Sequence, residues 1–344
     1  MKALVLEAYN QLVYKDVAAP VLLPGEVLIA VAACGICGSD IHGWDGSTGR
    51  RVPPIIMGHE AAGVIAAVGE GVCDWQAGDR VTFDSNLTCG ACHYCRQGLG
   101  NLCDNRRVLG VSCVEYRKEG AFAEYVAVPA SALHPLPGNL SFERAVLVEP
   151  LSIALHAVGR PKPRLGDSAV VVGAGMIGLM VVQALRAAGC GTIVSIDLMP
   201  SRLEMARQLG ADAGVRADAP DLLAEVLAHT AGRGADLVFE AVGAGTALQT
   251  AVSCARKGGS LTLIGNLAPR ADLPLQAVVT RELTLYGSCQ STGEYPACLE
   301  LMARGAIQTD PLISAVAPLS EGAAWFERLY RGDPELIKVI LKPT

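Results

Sequence analysis

The chain has 344 residues, of which 51% are hydrophobic and 18% are charged, and its formal net charge is −6. This composition is typical of globular proteins and argues against a disordered or fibrous one, and the length predicts two or three domains. Because the charge is negative and no block of Lys and Arg occurs, we expect neither nucleic acid nor a membrane surface as a partner. Small molecules are the expected ligands.

Two sequence features, a signal peptide and a membrane-spanning helix, bear on the expected cellular compartment. The opening MKALVLEAYN has no basic segment followed by an apolar run and a cleavage site, so no signal peptide is predicted. The run 169–185 contains glycines and a glutamine and is shorter than the ~18 to 20 apolar residues of a spanning helix. We therefore expect a cytoplasmic protein, in which the 12 cysteines bind metal or remain thiols rather than form disulfides.

The first part of the chain is predicted to be mostly β structure. Alternating apolar residues between Gly- and Pro-containing turns predict strands at 27–32, 62–68, 80–83 and 123–128. After Pro161 and Pro163, apolar strands alternate with amphipathic helices, and the predicted strands are 169–172, 192–197, 235–242, 260–265 and 283–287. This βαβ alternation predicts a parallel sheet and an α/β fold class.

The last part of the chain is predicted to return to the first domain. Helices are expected at 294–304 and around 323–330, and a strand at 337–341 closes the chain. The expected boundaries are 1–152 together with 293–344 for the first domain, and 153–292 for the second.

Two short clusters in the first domain carry metal-binding residue types. Cys37 opens the run CGSDIH, and His59 and Glu60 follow about twenty residues later in GHE. A thiolate, an imidazole and a carboxylate form a mixed ligand set that leaves one position for substrate. A lone Cys or His in an apolar stretch is more often core than ligand, but two clusters near a complete cysteine loop favour a catalytic metal site.

That loop contains four cysteines with metal-ligand spacing: Cys89, Cys92, Cys95 and Cys103. Four thiolates can close a tetrahedron around Zn²⁺ with no open position, which predicts a structural site and not a catalytic one. Four unrelated buried cysteines, or a disulfide pair, are the less favoured alternatives. His93 lies inside the loop and is interpreted as a bystander.

A nucleotide-binding pattern follows the first strand of the second domain. VVVGAGMIG runs from an apolar strand into a helix, with Gly173 for the tight turn, Gly175 for approach of a pyrophosphate and Gly178 for helix packing. Asp197 ends the next strand, nineteen residues after Gly178, where it can accept hydrogen bonds from ribose hydroxyls. A 2′-phosphate would be repelled there, so NAD is predicted over NADP, although Arg202 argues mildly for NADP.

Together these motifs, in this order along the whole chain, resemble the zinc-containing medium-chain dehydrogenase/reductase superfamily. The resemblance implies a GroES-like β-rich catalytic domain followed by a Rossmann doubly wound domain. The run VEPLS at 148–152 resembles the sorbitol, threonine and butanediol dehydrogenase branch. The resemblance also implies two Zn²⁺ per chain and a homodimer or homotetramer.

The resemblance assigns a role to each catalytic position. It implies a catalytic zinc held by Cys37, His59 and Glu60, with Glu149 bound to it directly or through water. Ser39 would accept the substrate proton and His42 would relay it to solvent. Further cofactor contacts are implied for Ile177, for Cys289 and for the turn formed by Ile264, Gly265 and Asn266.

The resemblance predicts reversible hydride transfer between NAD and a secondary alcohol of a polyol or sugar alcohol. In sorbitol dehydrogenases a pocket aromatic and a pocket arginine stand where this chain has Gly43 and Gln290. A different or phosphorylated polyol is therefore a possible substrate, and the run 281–288 resembles galactitol-1-phosphate dehydrogenases. Threonine and 2,3-butanediol are alternative substrates, and a non-catalytic protein that retains the fold is the alternative of another class.

Overall fold

The computed structural model describes residues 1–343, and the chain divides into two compact units. Unit 1 contains Met1–Glu149, Tyr295–Ala303 and the chain from Thr309 onward, and unit 2 contains Pro150–Glu294 and Arg304–Gln308. Among the described residues, no helix is both long and apolar enough to cross a membrane.

The first segment of unit 1 is mainly β structure. Its elements are β1 (Lys2–Ala8), β2 (Gln11–Asp16), β3 (Glu26–Gly35), α1 (Gly38–Trp44), β4 (Ile55–Ile56), β5 (Glu60–Val68), β6 (Arg80–Phe83), β7 (Asn86–Leu87), α2 (His93–Arg96), β8 (Arg107–Val108), β9 (Val111–Ser112), β10 (Arg117–Lys118), β11 (Tyr125–Pro129), β12 (Leu133–Pro135) and α3 (Phe142–Ala145).

Strands and helices then alternate through unit 2. The elements are α4 (Val148–Gly159), which begins at the end of unit 1, β13 (Ala169–Val172), α5 (Met176–Ala187), β14 (Ile193–Asp197), α6 (Pro200–Gln208), β15 (Ala213–Arg216), α7 (Leu222–His229), β16 (Ala235–Glu240), α8 (Gly245–Cys254), β17 (Ala255–Leu263), α9 (Leu275–Thr280) and β18 (Thr284–Gly287).

The chain then completes unit 1 with α10 (Tyr295–Ala303), β19 (Ile313–Pro318), α11 (Gly322–Tyr330) and β20 (Lys338–Lys342). The 3₁₀ helices are Gly100–Leu102, Ala130–Ala132, Asp310–Leu312 and Leu319–Glu321.

The main sheet of unit 1 is organised around β3. The strand order is β12-β6-β5-β3-β20-β19, and β11 also pairs with β3. Residues along β3 alternate between buried and partly buried, with Val27, Ile29 and Val31 in the core, as expected for a strand with one face packed. The antiparallel register pairs Gly35 with Glu60 on β5 and with Ile340 on β20, so the end of β3 lies between these two strands.

Unit 2 contains a six-stranded parallel sheet with the order β15-β14-β13-β16-β17-β18. All five strand pairs are parallel, and this order is that of doubly wound dinucleotide-binding sheets. The central strand β13 is a continuous apolar run and is fully buried, because helices cover both faces of such sheets.

The predicted elements agree with the structure except at some ends and in a few segments. The strand predicted at 235–242 ends at Glu240, because the carboxylate of Glu240 accepts hydrogen bonds from the N–H groups of Val242 and Gly243, both at 2.8 Å, where the chain turns. Helix α1 is absent from the sequence prediction because its two glycines disfavour helix. It forms because Asp40 caps its start and Ile41 and Trp44 are buried.

Candidate active site

Cys37, His59 and Glu60 converge in unit 1. Each offers one ligand atom, and these atoms all lie within 4.8 Å of one another. The pairing of Gly35 with Glu60 brings this cluster together, because Cys37 follows β3 directly and His59 precedes β5. His59 and Glu60 are buried, at 5% and 1% exposure. Sulfur, imidazole nitrogen and carboxylate oxygen at this spacing fit a zinc ion.

Glu60 is held by a buried cation from the C-terminal strand. Lys338, on β20, is only 2% exposed, and its Nζ donates hydrogen bonds to a carboxylate oxygen of Glu60 and to the carbonyl of Ile36 at 3.0 Å. Burial lowers the pKa of Lys338, but the negative groups around it, with Glu60 the strongest, outweigh this effect, so the pKa is raised and the ammonium stays charged. Position 35 has to be glycine, because a Cβ there would lie 2.4 Å from Glu60 Oε2, the oxygen that accepts the hydrogen bond from Lys338.

Asp40 orients the other side of the cluster. Its carboxylate is fully buried, with Oδ1 3.4 Å from His59 Nδ1 and 3.1 Å from Arg51 Nη2, and Oδ2 accepts the N–H of Cys37 at 3.2 Å. Burial alone would raise the pKa of Asp40, but His59 and Arg51 lower it to about 2. A carboxylate behind a ligand histidine fixes the orientation of its ring, a recurrent feature of zinc sites.

Glu149 lies in the same electrostatic environment but outside the group of three ligand atoms found among the described residues. It is 8% exposed, and desolvation raises its pKa to about 7; His59 and Lys338 lower the pKa and Glu60 raises it further.

Ser39 and His42, the predicted proton-transfer residues, are on α1. Ser39 is exposed and its Oγ accepts a long hydrogen bond from Arg51 Nη2, at 3.4 Å. His42 is half-buried one turn further along the helix. Residues three apart share a helix face, so both side chains start from the same side of α1.

The four cysteines of the predicted closed site also converge in unit 1. The sulfur atoms of Cys89, Cys92, Cys95 and Cys103 lie within 4.8 Å of one another, with 3.5 Å between Cys89 and Cys103. Zn–S bonds of about 2.3 Å place tetrahedral sulfurs about 3.8 Å apart, so the loop fits a zinc ion. The N–H groups of Ala91 and Cys92 lower the pKa of Cys89 to about 6, which favours the thiolate that a metal requires. His93 instead contacts Gln97.

The predicted glycines form the turn between β13 and α5 in unit 2. Gly173 has φ of +97°, and a Cβ there would lie 2.6 Å from Val242 Cγ2. A Cβ on Gly178 would lie 1.7 Å from the carbonyl oxygen of Gly173, so helix and turn pack together closely. Gly175 is the N-cap of α5, and a Cβ there would have no atom within 4 Å, so the space beside it is open. Ile177 lies in the first turn of the helix. These are the requirements of a pyrophosphate-binding turn.

Asp197 ends β14 beside this turn. Its Oδ2 accepts the N–H of Ala174 at 2.7 Å and its Oδ1 accepts the N–H of Met199 at 2.9 Å, so the carboxylate is fixed against the glycine loop. Arg202 lies on α6; desolvation lowers its pKa, and the negative charge of Asp197 opposes that change.

The remaining predicted cofactor residues follow the next strands of the sheet. Ile264 and Gly265 donate their N–H groups to the carbonyl of Glu240 at 2.9 and 3.0 Å, Asn266 follows them, and exposed Cys289 lies just after β18. Because all these strands are parallel, every predicted cofactor segment lies at or just beyond a carboxyl end of the sheet, or in the helix that follows. This is where doubly wound sheets bind ligands.

Sequence reasoning missed two buried cations of the site, Arg51 and Lys338. Lys338 had a usable signal, since it is a charged residue directly before the apolar run 339–341. Arg51 had none, because it follows Arg50 in a polar segment and only the folded chain distinguishes the two.

Comparison with protein families identifies both units. Residues 23–138 match the alcohol dehydrogenase GroES-like domain, and residues 177–304 match the zinc-binding dehydrogenase domain. The chain is 36% identical to sorbitol dehydrogenase of Bacillus subtilis, over 100% of this chain and 98% of the relative. It is 34% identical to D-arabitol-phosphate dehydrogenase of Enterococcus avium, over 97% and 94%.

Solved structures share the fold over the whole chain. Alcohol dehydrogenase TADH of Thermus sp. ATN1 has a TM-score of 0.93 at 36% identity, and galactitol-1-phosphate dehydrogenase of Escherichia coli has 0.91 at 27%; each covers 100% of both chains. Two more are 31% identical over 99% of both chains: an alcohol dehydrogenase of Escherichia coli CFT073 with NADH, TM-score 0.91, and a zinc-binding dehydrogenase of Sinorhizobium meliloti 1021 with NADP, TM-score 0.90.

These matches confirm the predicted fold class, a GroES-like domain followed by a Rossmann domain, and the predicted family. Both zinc-compatible clusters lie within residues 23–138, the range that matches the GroES-like domain. The chain belongs to the zinc-binding alcohol dehydrogenases and is an oxidoreductase of that family.

Proposed function

We propose that this enzyme reversibly transfers hydride between NAD and a secondary hydroxyl of a polyol, a sugar alcohol or its phosphate. The observation that carries this proposal is the convergence of one thiolate, one imidazole and one carboxylate, on Cys37, His59 and Glu60, within 4.8 Å. Such a set can hold a metal and leave a position for a substrate oxygen. A fold-retaining protein without catalysis would need none of these ligands.

Cys37, His59 and Glu60 would hold the catalytic zinc, and Cys89, Cys92, Cys95 and Cys103 the structural one. The zinc supplies a Lewis acid that stabilises negative charge on the substrate oxygen, and NAD supplies the hydride acceptor. Glu149 is the alternative carboxylate ligand, bound directly or through water. The Lys338 ammonium donates a hydrogen bond to a carboxylate oxygen of Glu60, while desolvation raises the pKa of Glu149 to about 7.

Ser39 and His42 would remove the substrate proton. Ser39 is an exposed residue on the first turn of α1, two residues after Cys37, so its hydroxyl can receive a proton from a hydroxyl near the metal ligands. His42 begins from the same helix face and can pass that proton to solvent.

The carboxyl edge of the unit 2 sheet would bind the dinucleotide. Gly173, Gly175, Ile177 and Gly178 would approach the pyrophosphate, while Ile264, Gly265, Asn266 and Cys289 would line the nicotinamide end. Asp197 would accept hydrogen bonds from the adenosine ribose, and its charge favours NAD over NADP. Arg202 is the feature that opposes this preference, since an arginine could pair with a 2′-phosphate.

The substrate class rests on the relatives and on two positions at which this sequence departs from sorbitol dehydrogenases. The two curated relatives described above act, by name, on sorbitol and on an arabitol phosphate. Gly43 and Gln290 lack the aromatic and cationic groups of sorbitol dehydrogenases, so the substrate differs from sorbitol in length, stereochemistry or phosphorylation. Threonine and 2,3-butanediol are the alternatives.

We also propose a cytoplasmic homodimer or homotetramer, with domain boundaries at residues 152/153 and 292/293. The compartment is supported by the cysteines, since the two candidate zinc sites use five cysteine thiols, and thiols persist in a reducing environment.

The test is a panel of sorbitol, xylitol, arabitol, galactitol and their phosphates, with threonine and 2,3-butanediol, assayed with NAD on protein of measured zinc content. We expect two zinc ions per chain and the highest kcat/KM for one of the polyols. Turnover of threonine or butanediol alone would assign the chain to the neighbouring branch, and zinc-free protein inactive on the panel would favour the non-catalytic alternative.

A further inference from the structure

Arg51 is buried beside α1 and its backbone is fixed on both sides. The residue is 4% exposed. The carbonyl of Arg50 accepts the N–H of Ser112 at 3.2 Å, and the N–H of Val52 donates to the carbonyl of Ser112 at 3.0 Å. These two hydrogen bonds connect the segment to β9 and determine where the Arg51 side chain begins. A long charged side chain is rarely buried unless it is paired.

The aliphatic part of Arg51 occupies the space beside Gly43. A Cβ at position 43 would lie 2.2 Å from Arg51 Cγ and 3.1 Å from Arg51 Cβ. The space where a larger residue at 43 would begin is therefore filled by the arginine. Gly43 has no positive φ, so glycine is needed at this position for space and not for backbone conformation.

The guanidinium group contacts two residues of the site. Its Nη2 donates to Asp40 Oδ1 at 3.1 Å and to Ser39 Oγ at 3.4 Å, and its Nη1 donates to the carbonyl of Arg50 at 3.1 Å. Its Nε is buried and has no hydrogen-bond partner among the described residues. A planar guanidinium can serve several acceptors at fixed angles, whereas an ammonium is a single point charge.

We propose that Arg51 is a positioning residue that orients the Ser39 hydroxyl, and that Gly43 provides the space for it. An exposed serine hydroxyl rotates freely, and only some of its orientations point a lone pair at the substrate proton. A hydrogen bond from Nη2 fixes one lone pair of Ser39 Oγ and leaves the other to accept. This inference rests on the proposed role of Ser39 as proton acceptor.

The primary test is R51K. Lysine retains the charge that the buried Asp40 requires, but one ammonium paired with Asp40 is not positioned to hold Ser39 as well. With NAD and the polyol turned over fastest in the panel, we expect kcat to fall by about 10-fold and KM to change little. General-base catalysis contributes roughly 10² to 10⁴ to a rate, and misorientation of the base should lose only part of that factor. Zinc content and melting temperature should stay close to wild type.

A double-mutant cycle with S39A identifies the route of the effect. If Arg51 acts through Ser39, R51K lowers kcat in the wild-type background but by less than about 2-fold in the S39A background. An equal loss in both backgrounds, or a loss of zinc in R51K, would overturn the inference, because Arg51 would then act through Asp40 and His59. Unchanged kcat in R51K with reduced kcat in S39A overturns only this inference, whereas full activity of S39A refutes the proposed role of Ser39.

A variant at Gly43 tests whether this position provides the space for Arg51. It also keeps the inference testable if R51K does not fold. G43A should lower the melting temperature, because its methyl group overlaps Arg51 Cγ, and kcat should fall with it. R51S removes the overlap and also the charge beside Asp40, so G43A/R51S should melt no lower than R51S alone, while kcat stays low. A double variant with restored kcat would show that Arg51 does not position the hydroxyl.

Discussion

At the scale of single residues, the site depends on charges placed where water is excluded. Lys338 and Glu60 are both almost fully buried, and the ammonium donates to the carboxylate and to the carbonyl of Ile36. A buried pair of this kind contributes little to stability as a pair, but loss of one partner leaves an uncompensated charge. Lys338 therefore supplies the positive charge that pairs with the buried Glu60 carboxylate.

Removal of that cation should destabilise the protein strongly. We expect Lys338→Met to lower the free energy of unfolding by about 3 to 5 kcal/mol, the usual cost of leaving one member of a buried pair alone. Urea denaturation of both proteins after zinc removal measures this cost, because zinc bound to Glu60 would itself compensate the carboxylate. Lys338→Met combined with Glu60→Gln should recover part of the loss, and a double variant no more stable than the single one would show that the pair is not coupled.

Asp197 provides a second test at this scale. Its two carboxylate oxygens accept backbone N–H groups of Ala174 and Met199, so a negative group is fixed at the adenosine end of the predicted site. We expect Asp197→Ala to reduce the ratio of kcat/KM for NAD to that for NADP by about 10-fold, since the repulsion of a 2′-phosphate is removed. Asp197→Glu, which keeps the charge, is the control, and an unchanged ratio in Asp197→Ala would refute the assignment.

At the scale of elements, the cysteine loop and the parallel strands are stabilised differently. The loop has little apolar core, since Cys89 is exposed and Cys92 and Cys95 are half-buried, so a bound metal has to supply its stability. Cys92→Ala should lower the zinc content from two ions to one and reduce the melting temperature, with a smaller change in kcat. Zinc analysis and a thermal melt measure both, and two zinc ions in the variant would exclude this loop as a site.

The strands of unit 2 are linked at their amino ends by Asp236. Ser168 donates to its Oδ2 from both the N–H, at 2.8 Å, and the hydroxyl, at 2.6 Å, and Arg256 Nε donates to its Oδ1 at 2.5 Å. Partial burial raises the pKa of Asp236, but these hydrogen bonds and the charge of Arg256 lower it to about 2.

Asp236 should therefore stabilise the fold in a pH-dependent way. A carboxyl group whose pKa is lower in the folded state contributes stability above its ordinary pKa of 3.8, and that contribution is lost between about 3.8 and about 2 as pH falls. Because the group is partly exposed, we expect Asp236→Asn to cost about 1 kcal/mol at pH 7. Urea denaturation at pH 7 and at low pH measures the difference, and a cost that does not diminish on acidification would contradict this interpretation.

At the scale of the whole chain, the sequence predicted what local patterns encode. The cysteine spacing, the GHE run and the strand-glycine-helix pattern each lie within a few consecutive residues, and their spacing alone is informative. The α/β class and the order of strands and helices followed from the change in apolar periodicity after Pro163.

What the sequence did not predict depends on pairing between distant segments. Lys338 and Glu60 are 278 residues apart and meet only because β20 and β5 both pair with β3. Arg51 is distinguished from Arg50 only by its packing against Gly43 and Asp40. Helix α1 was missed because capping and burial outweigh its glycines.

The central claim is that a metal held by Cys37, His59 and Glu60 is required for hydride transfer. Steady-state rates of Cys37→Ala, with NAD and the preferred polyol, test it most directly. We predict a fall in kcat of about 10³-fold or more, because a Lewis acid is worth several kcal/mol of transition-state stabilisation, with a melting temperature near that of wild type. A Cys37→Ala enzyme that retains wild-type kcat would contradict this claim.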